Sequence, residues 1–288
     1  MRSRAVSLPA SCWRSTARWL SGAMDSSRSS RSRSIFFSVL TDPPGRITRY
    51  PVFDPSDLSL ATHYDIVRCA EVASTQDVAN ERFTETEGPV LVLASRQVRG
   101  RGRQGRAWVE PDRGLFSSLA FTSEWTGADT TLIPLVAAVA VADAIEAEAS
   151  VVVDLKWPND LLIDGKKVGG ILVEAAGARV TVGCGVNLWW ASPPPFASAV
   201  FEEDPEHGVA ERLATGWADR FLDIASGASS HWPRDAYVSR CVTLGSAVTW
   251  DSGSGIARRI GFDGSLIVDT DEGEIEVRQG DVHLSGDG

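Results

Sequence analysis

Cysteine is scarce in this chain: Cys12, Cys69, Cys184 and Cys241 are the only four in 288 residues, and no two form a CxxC pair. Such spacing argues against a disulfide scaffold and favours a reduced, cytosolic protein. Histidine is equally sparse. His63, His207, His231 and His283 stand far apart, with neither HExxH nor another zinc-ligand spacing, so no metal ligand is assigned. A GxxxxGK[ST] run is missing, which removes the P-loop enzymes. The longest apolar stretch, Leu132 to Ile145, is broken by Pro134 and Asp143. It falls short of the roughly 20 residues that cross a bilayer, so no membrane association is expected. Positive charge is not in excess: 28 Lys and Arg face 38 Asp and Glu, a formal net charge of −10. A nucleic-acid binder usually carries a basic domain, not a basic island on an acidic one.

What remains is an ordinary soluble composition, 43% hydrophobic and 23% charged, with length enough for a sizeable core and two domains. The first forty residues stand apart. They are rich in Ser and Arg, with the run SSRSSRSRS at Ser26 to Ser34 and Asp25 as the sole acid. Such a segment cannot bury enough apolar area to offset its ordering entropy, so residues 1–60 are expected to be low-complexity and disordered. The composition resembles an organelle transit peptide, and a start at Met24 explains it equally well.

From Ala61 the pattern becomes regular. Strands are expected at Val67 to Val72, Pro89 to Ala94, Gly114 to Ser123, Val151 to Trp157, Val168 to Ala175 and Arg179 to Asn187. Ser74, with Asp77 three residues on, reads as the N-cap of a helix running to about Thr86. Thr131 to Glu148 is a helix apolar on most faces, and further helices fit Val209 to Ile224 and Pro233 to Arg240. Mixed strands with helices on one side indicate an α+β sheet domain over residues 61–240. From Cys241 short strands (Ala247 to Asp251, Gly255 to Gly261, Leu266 to Asp269, Ile275 to Arg278) alternate with Gly and Asp turns. That pattern fits a second, small β-barrel domain over residues 241–288.

Chemistry concentrates in four segments. Gly100 to Trp108 reads GRGRQGRAW, with Arg96 and Arg99 just upstream and no acid from Arg96 to Val109. Guanidinium forks suit carboxylate and phosphate oxygens, and glycines let the backbone fold over a small ligand. Taken alone, the loop is equally a solvated basic loop or a nucleic-acid patch. KWPND at Lys156 to Asp160 ends an apolar strand on a lysine whose ammonium suits developing phosphate charge. An ordinary strand-end lysine is the plainer reading. KVGGILVE at Lys167 to Glu174 allows a flat ligand close to the backbone, or marks a bulge. GCGVNL at Gly183 to Leu188 is a second glycine-punctuated strand.

In this order the four segments closely resemble the biotin protein ligase family, with EVASTQ at Glu71 to Gln76 upstream and the small β tail downstream. The resemblance covers most of Ala61 to Leu284. It implies a mixed β-sheet with helices packed on it, the biotin/lipoate ligase catalytic fold, followed by a small C-terminal SH3-like β-barrel. It also implies a two-step reaction. Biotin and MgATP give biotinyl-5′-AMP and pyrophosphate, and a lysine of a biotin carboxyl carrier domain then takes the biotinyl group. Biotin and ATP are substrates, Mg2+ accompanies ATP, and no permanently bound cofactor is implied.

Carried over residue by residue, the resemblance makes Lys156 and Arg103 catalytic. It places biotin against Ser74, Thr75, Gln76, Gln97, Arg101, Gly102, Arg103, Lys156, Gly169, Gly170 and Leu172. The nucleotide falls to Arg101, Arg103, Arg106, Trp108, Lys156, Asn159 and Asn187. Gln76 stands where the family usually has Asn, Val98 and Arg99 where small or polar residues are common, and Gln104 where a base is frequent. The implied partner is the carrier domain of an acetyl-CoA or acyl-CoA carboxylase or of pyruvate carboxylase. The protein would be a monomer or weak homodimer. Without an N-terminal DNA-binding domain, a ligase that does not bind DNA is expected. A lipoate ligase or octanoyl transferase of the same fold is the nearest rival, and a basic-loop nucleic-acid binder is the rival from another class.

Overall fold

The computed structural model describes residues 12–16, 64–86, 88–278 and 280–284. The expectation of disorder over residues 1–60 therefore lies outside the described residues except at Cys12–Thr16. Those five residues form a strand (β1), a departure from that expectation, because they find an open antiparallel edge to pair with.

The next elements are β2 (Asp65–Val72), α1 (Thr75–Phe83), β3 (Val90–Gln97), β4 (Arg113–Thr122) and α2 (Ile133–Glu148). After them come β5 (Asp154–Lys156), β6 (Asp160–Ile163), β7 (Lys166–Ala176), β8 (Arg179–Trp189), α3 (Val209–Ala225) and α4 (Arg234–Arg240). The strands form one eight-stranded sheet in the order β1-β2-β3-β4-β8-β7-β6-β5. Only β2 and β3 are parallel, joined by the crossover through α1; the other pairs are antiparallel, so the sheet is mixed. Asp164 and Gly165 both take positive φ (52° and 73°) between β6 and β7, the combination a two-residue hairpin turn needs.

Strand alternation sends the two sides of each strand to different cores. Leu91 and Leu93 of β3 face the larger one, with α2 and α3, while Val90, Val92 and Ala94 face a smaller one with Val67, Ala79 and Phe116. Helices therefore cover both faces, not one as expected: α1 lies against β3, β4 and β8 on the side opposite α2 and α3. The sequence signal missed this because α1 is short and buries only Thr75, Gln76 and Ala79. Gly127–Glu148 has the length and apolar composition of a membrane span, yet Val136, Ala137, Val139, Ala140 and Ala142 are fully enclosed in the larger core.

Strand β5 begins at Asp154, later than expected, and β6 was not expected at all. KWPND is a tight reversal between two strands, with Lys156 and Asp160 as register partners. Cys69 is disulfide-bonded, which departs from the expectation of wholly reduced thiols; Cys184 and Cys241 are free and buried.

A second sheet follows: β9 (Ala247–Trp250), β10 (Gly253–Ile260), β11 (Leu266–Thr270), β12 (Gly273–Val277) and β13 (His283–Leu284). The order is β12-β11-β10-β9-β13, antiparallel throughout, in keeping with a small SH3-like barrel. Its inner residues Val248, Ala257, Ile260, Leu266, Val268 and Val277 join the same apolar cluster as α2 and α3. Trp157 ties the two sheets together. Its amide donates to Thr243 Oγ1 at 2.9 Å and its indole N–H to the carbonyl of Gly264 at 2.9 Å.

Candidate active site

A cavity of about 240 Å³ opens where β3, β4, β7 and β8 meet the Arg/Gly loop, the β5–β6 reversal and the residues before β13. Its floor is neutral. Ser74 precedes α1, but its hydroxyl makes no capping hydrogen bond; it is buried and faces the cavity. The orphan amide at the start of α1 is instead satisfied by Gln97, whose Oε1 accepts from Thr75 N at 2.7 Å and Thr75 Oγ1 at 2.9 Å. Thr75 Oγ1 also meets Ser118 Oγ at 2.8 Å, and Gln76 Nε2 donates to the carbonyl of Leu172 at 3.3 Å. The side chains that would meet a ligand are thus already held by one another.

The glycines of β8 explain how Gln76 and Trp108 reach the sheet. A Cβ at Gly183 would stand 3.0 Å from the Gln76 amide carbon, and one at Gly185 would stand 3.1 Å from Trp108 Cζ2. Between them Cys184 lies fully enclosed, and burial pushes its thiol far up from the ordinary range, so it stays protonated.

The wall opposite the floor is cationic. Arg101 and Ala107 bridge across the loop, Gly102 N donates to the carbonyl of Arg106 at 2.7 Å, and Gln104 and Gly105 turn through positive φ. Oxygen acceptors hold each guanidinium. Arg101 grips both oxygens of Asp77 at 2.9 and 2.7 Å. Arg106 pairs with Asp281 at 2.7 Å, and Arg103 reaches Asn159 Oδ1 and the carbonyl of Gly280, both at 2.9 Å. Lys156 enters from the end of β5, and Lys167 from β7 with its ammonium 2.6 Å from Asp160 Oδ1.

Most residues expected at the site line this one cavity: Ser74, Thr75, Gln76, Gln97, Arg101, Gly102, Arg103, Arg106, Trp108, Lys156, Asn159, Gly170 and Leu172. Two do not. A Cβ at Gly169 would point away, 2.9 Å from the carbonyl oxygen of Gly185 and 3.4 Å from Leu161, because successive strand residues alternate sides. Gly169 serves close strand packing, and Gly170 is the one at the wall. Asn187 lies on β8 beyond the cavity, covered by the following loop, with its Nδ2 bonded to the carbonyl of Ser198 at 3.0 Å. The sequence reading missed Ser117, Ser118, Lys167, Asp281, Val282 and His283. Strand parity would have found the serines; nothing in the sequence placed Asp281, 175 residues from Arg106, at the loop.

A mixed sheet thus presents a neutral polar floor beneath a loop of arginines, an arrangement suited to a ligand with a neutral polar part and an anionic part. Residues 69–188 match the Biotin/lipoate A/B protein ligase family. A biotin--[acetyl-CoA-carboxylase] ligase of Paracoccus denitrificans is 32% identical over 242 residues, covering 75% of this chain and 99% of the relative. A bifunctional ligase/repressor BirA of Bacillus subtilis is 30% identical over 238 residues, covering 74% and 72%. Among solved structures, a biotin protein ligase from Aquifex aeolicus in complex with biotin and ATP superposes with a TM-score of 0.65 at 25% identity, over 76% of this chain and 97% of that one. The chain belongs to the biotin/lipoate A/B protein ligase family.

Proposed function

We propose that this protein is a biotin protein ligase, activating biotin with ATP to biotinyl-5′-AMP and transferring the biotinyl group to a lysine of a biotin carboxyl carrier domain. The observation that carries the reading is the pairing, in one cavity, of an uncharged hydrogen-bonding floor with a cationic wall. Biotin offers both parts: a neutral fused ring and an anionic carboxylate. The relatives named as ligases for acetyl-CoA carboxylase support the same conclusion and indicate that class of carrier.

The first step brings a carboxylate against the α-phosphate, two anions that repel. Lys156 lines the same cavity as the floor residues and the loop arginines, and there its ammonium can neutralise both reactants as they approach. Thr75, Gln76, Gln97 and Ser118 hold the ureido ring and set its orientation. Arg103 and Arg106 take phosphate oxygens in place of the Asp281 carboxylate, and the loop over the cavity shields the water-sensitive adenylate until the carrier arrives. Mg2+ enters as MgATP; among the described residues no group of three His, Cys, Asp or Glu forms a metal site. Cytoplasmic location, near the carboxylases, completes the proposal.

ATP–pyrophosphate exchange with purified protein, with biotin and with lipoate, tests the reading. Exchange that depends on biotin supports it. Exchange with lipoate alone moves the protein to the sister activity, and transfer to a carrier domain then tests the second step.

A further inference from the structure

The cavity holds one cation to which no role has been given. Lys166 and Lys167 are adjacent on β7, and alternation separates them: Lys166 is exposed, whereas Lys167 lines the cavity. Asp160 and the Trp108 ring flank the Lys167 ammonium, and the absence of a side chain at Gly170 leaves it room. Asp160 Oδ1 lies 2.6 Å away and the Trp108 ring centroid 5.9 Å away, and a Cβ added at Gly170 would stand 3.5 Å from both Nζ and Cε. Asp160 is in turn the register partner of Lys156, so this carboxylate sits on the ladder between the two lysines of the site.

The loop arginines of the cavity are paired with carboxylates in the same way as Lys167. Arg101 is gripped by Asp77, and Arg103 and Arg106 share Asp281 across the mouth. A triphosphate presents oxygens along an extended chain, so cations on more than one wall of the cavity can meet it. Lys167 approaches from the β7 wall, beside the indole and the glycines. Its side chain is 40% exposed, so the ammonium is open to a ligand while Asp160 holds it in place. A paired lysine on a strand is already oriented, so less freedom is lost on binding an anion.

We propose that Lys167 is a second phosphate-binding lysine of this site, held toward the nucleotide by Asp160. The proposal rests on the functional reading above. Lys167 binds the triphosphate in ground state and transition state alike, so its loss acts on nucleotide affinity more than on turnover.

The test uses the full chain, with Lys167→Met, Lys167→Arg and Asp160→Asn beside the parent. Calorimetry measures binding of ATP and, separately, of biotin, and exchange gives KM and kcat. Lys167→Met is expected to weaken ATP about 10-fold or more, the usual size for a charged hydrogen bond. KM for ATP should rise with kcat within about threefold, and biotin affinity should stay within about twofold. Lys167→Arg should recover most of the loss, and Asp160→Asn should show an intermediate one. Unchanged ATP affinity in Lys167→Met would overturn the proposal, as would an equal loss of biotin affinity or a failure of Lys167→Arg to rescue. If the parent binds ATP through Lys167 yet shows no biotin-dependent exchange, the ligase reading fails and this inference stands. If the parent binds no ATP, both fail.

Discussion

The floor and the wall of the cavity are built on different principles. The floor comes from the sheet and the start of α1, and its polar groups, buried but for the half-buried Gln97, are satisfied within the protein: Gln97 by Thr75, Thr75 by Ser118, Gln76 by the Leu172 carbonyl. The wall hangs on a loop whose backbone has one small bridge and whose arginines depend on carboxylates from distant parts of the chain. A network of mutually bonded side chains on strands and a helix start fixes the shape of a neutral group in advance. Exposed ion pairs are weak and exchangeable, typically 0–1 kcal/mol, so phosphates can replace carboxylates at little cost. Recognition of the neutral part is therefore built in, and handling of charge is left to groups that can change partners.

The largest expected effect comes from removing the cation where the two meet. Lys156→Ala should lower biotin-dependent pyrophosphate exchange on the order of 10²–10³-fold or more, the range seen when a transition-state charge partner is lost. Near-parental exchange would take Lys156 out of the chemistry. Next is the anchor of the reversal that carries it. Trp157→Ala removes a side chain only 2% exposed together with two of its structural roles, packing and the bond to Gly264. It should cost about 3–5 kcal/mol in chemical denaturation, and a loss below 1 kcal/mol would show that Trp157 does not join the two sheets.

The contrast between floor and wall sharpens with paired variants. Gly185→Val should push Trp108 off β8 and raise KM for ATP while sparing biotin affinity, both measurable by calorimetry and exchange; equal losses for both ligands would merge the two halves of the site. Arg103→Gly should leave stability nearly unchanged but let adenylate escape, read as biotin label on bystander lysines. Label confined to the carrier would remove the loop's retaining role.

The smallest effect concerns a pair outside the cavity. Arg68 Nε bonds Glu211 Oε2 at 3.1 Å and holds the Glu211 carboxyl below the usual carboxylate range. A depressed folded value contributes stability above the unfolded value of about 4.3 that fades as pH falls through the folded one. The melting-temperature gap between parent and Glu211→Gln should thus be present at neutral pH and close in acid; a gap independent of pH would assign the pair's effect to packing.

How much of this was legible beforehand depends on the range of the contact. KWPND, the Arg/Gly loop and the β8 glycines are each ambiguous by residue type alone; their order along the chain, through the family it resembles, is what assigns Lys156, Arg103 and Trp108 to one site, and all three line one cavity. Gly169 and Gly170 are adjacent and alike in type. Only the pleat decides that Gly170 lines the cavity and Gly169 packs against Gly185. Asn187 was read from a motif, but the loop through Ser198 covers it.

The sequence by itself determined most of the strands and the family to which they belong, because each depends on near neighbours and on motifs read in order. Tertiary structure alone decided that helices cover both faces of the sheet and that Gln97, not Ser74, satisfies the first amide of α1. It also decided that Asp281 crosses from the second sheet to hold the loop, and that Lys167 faces the same cavity as Lys156. Those outcomes are set by which strand pairs with which and in what register. Contacts over such separations leave no mark in local pattern.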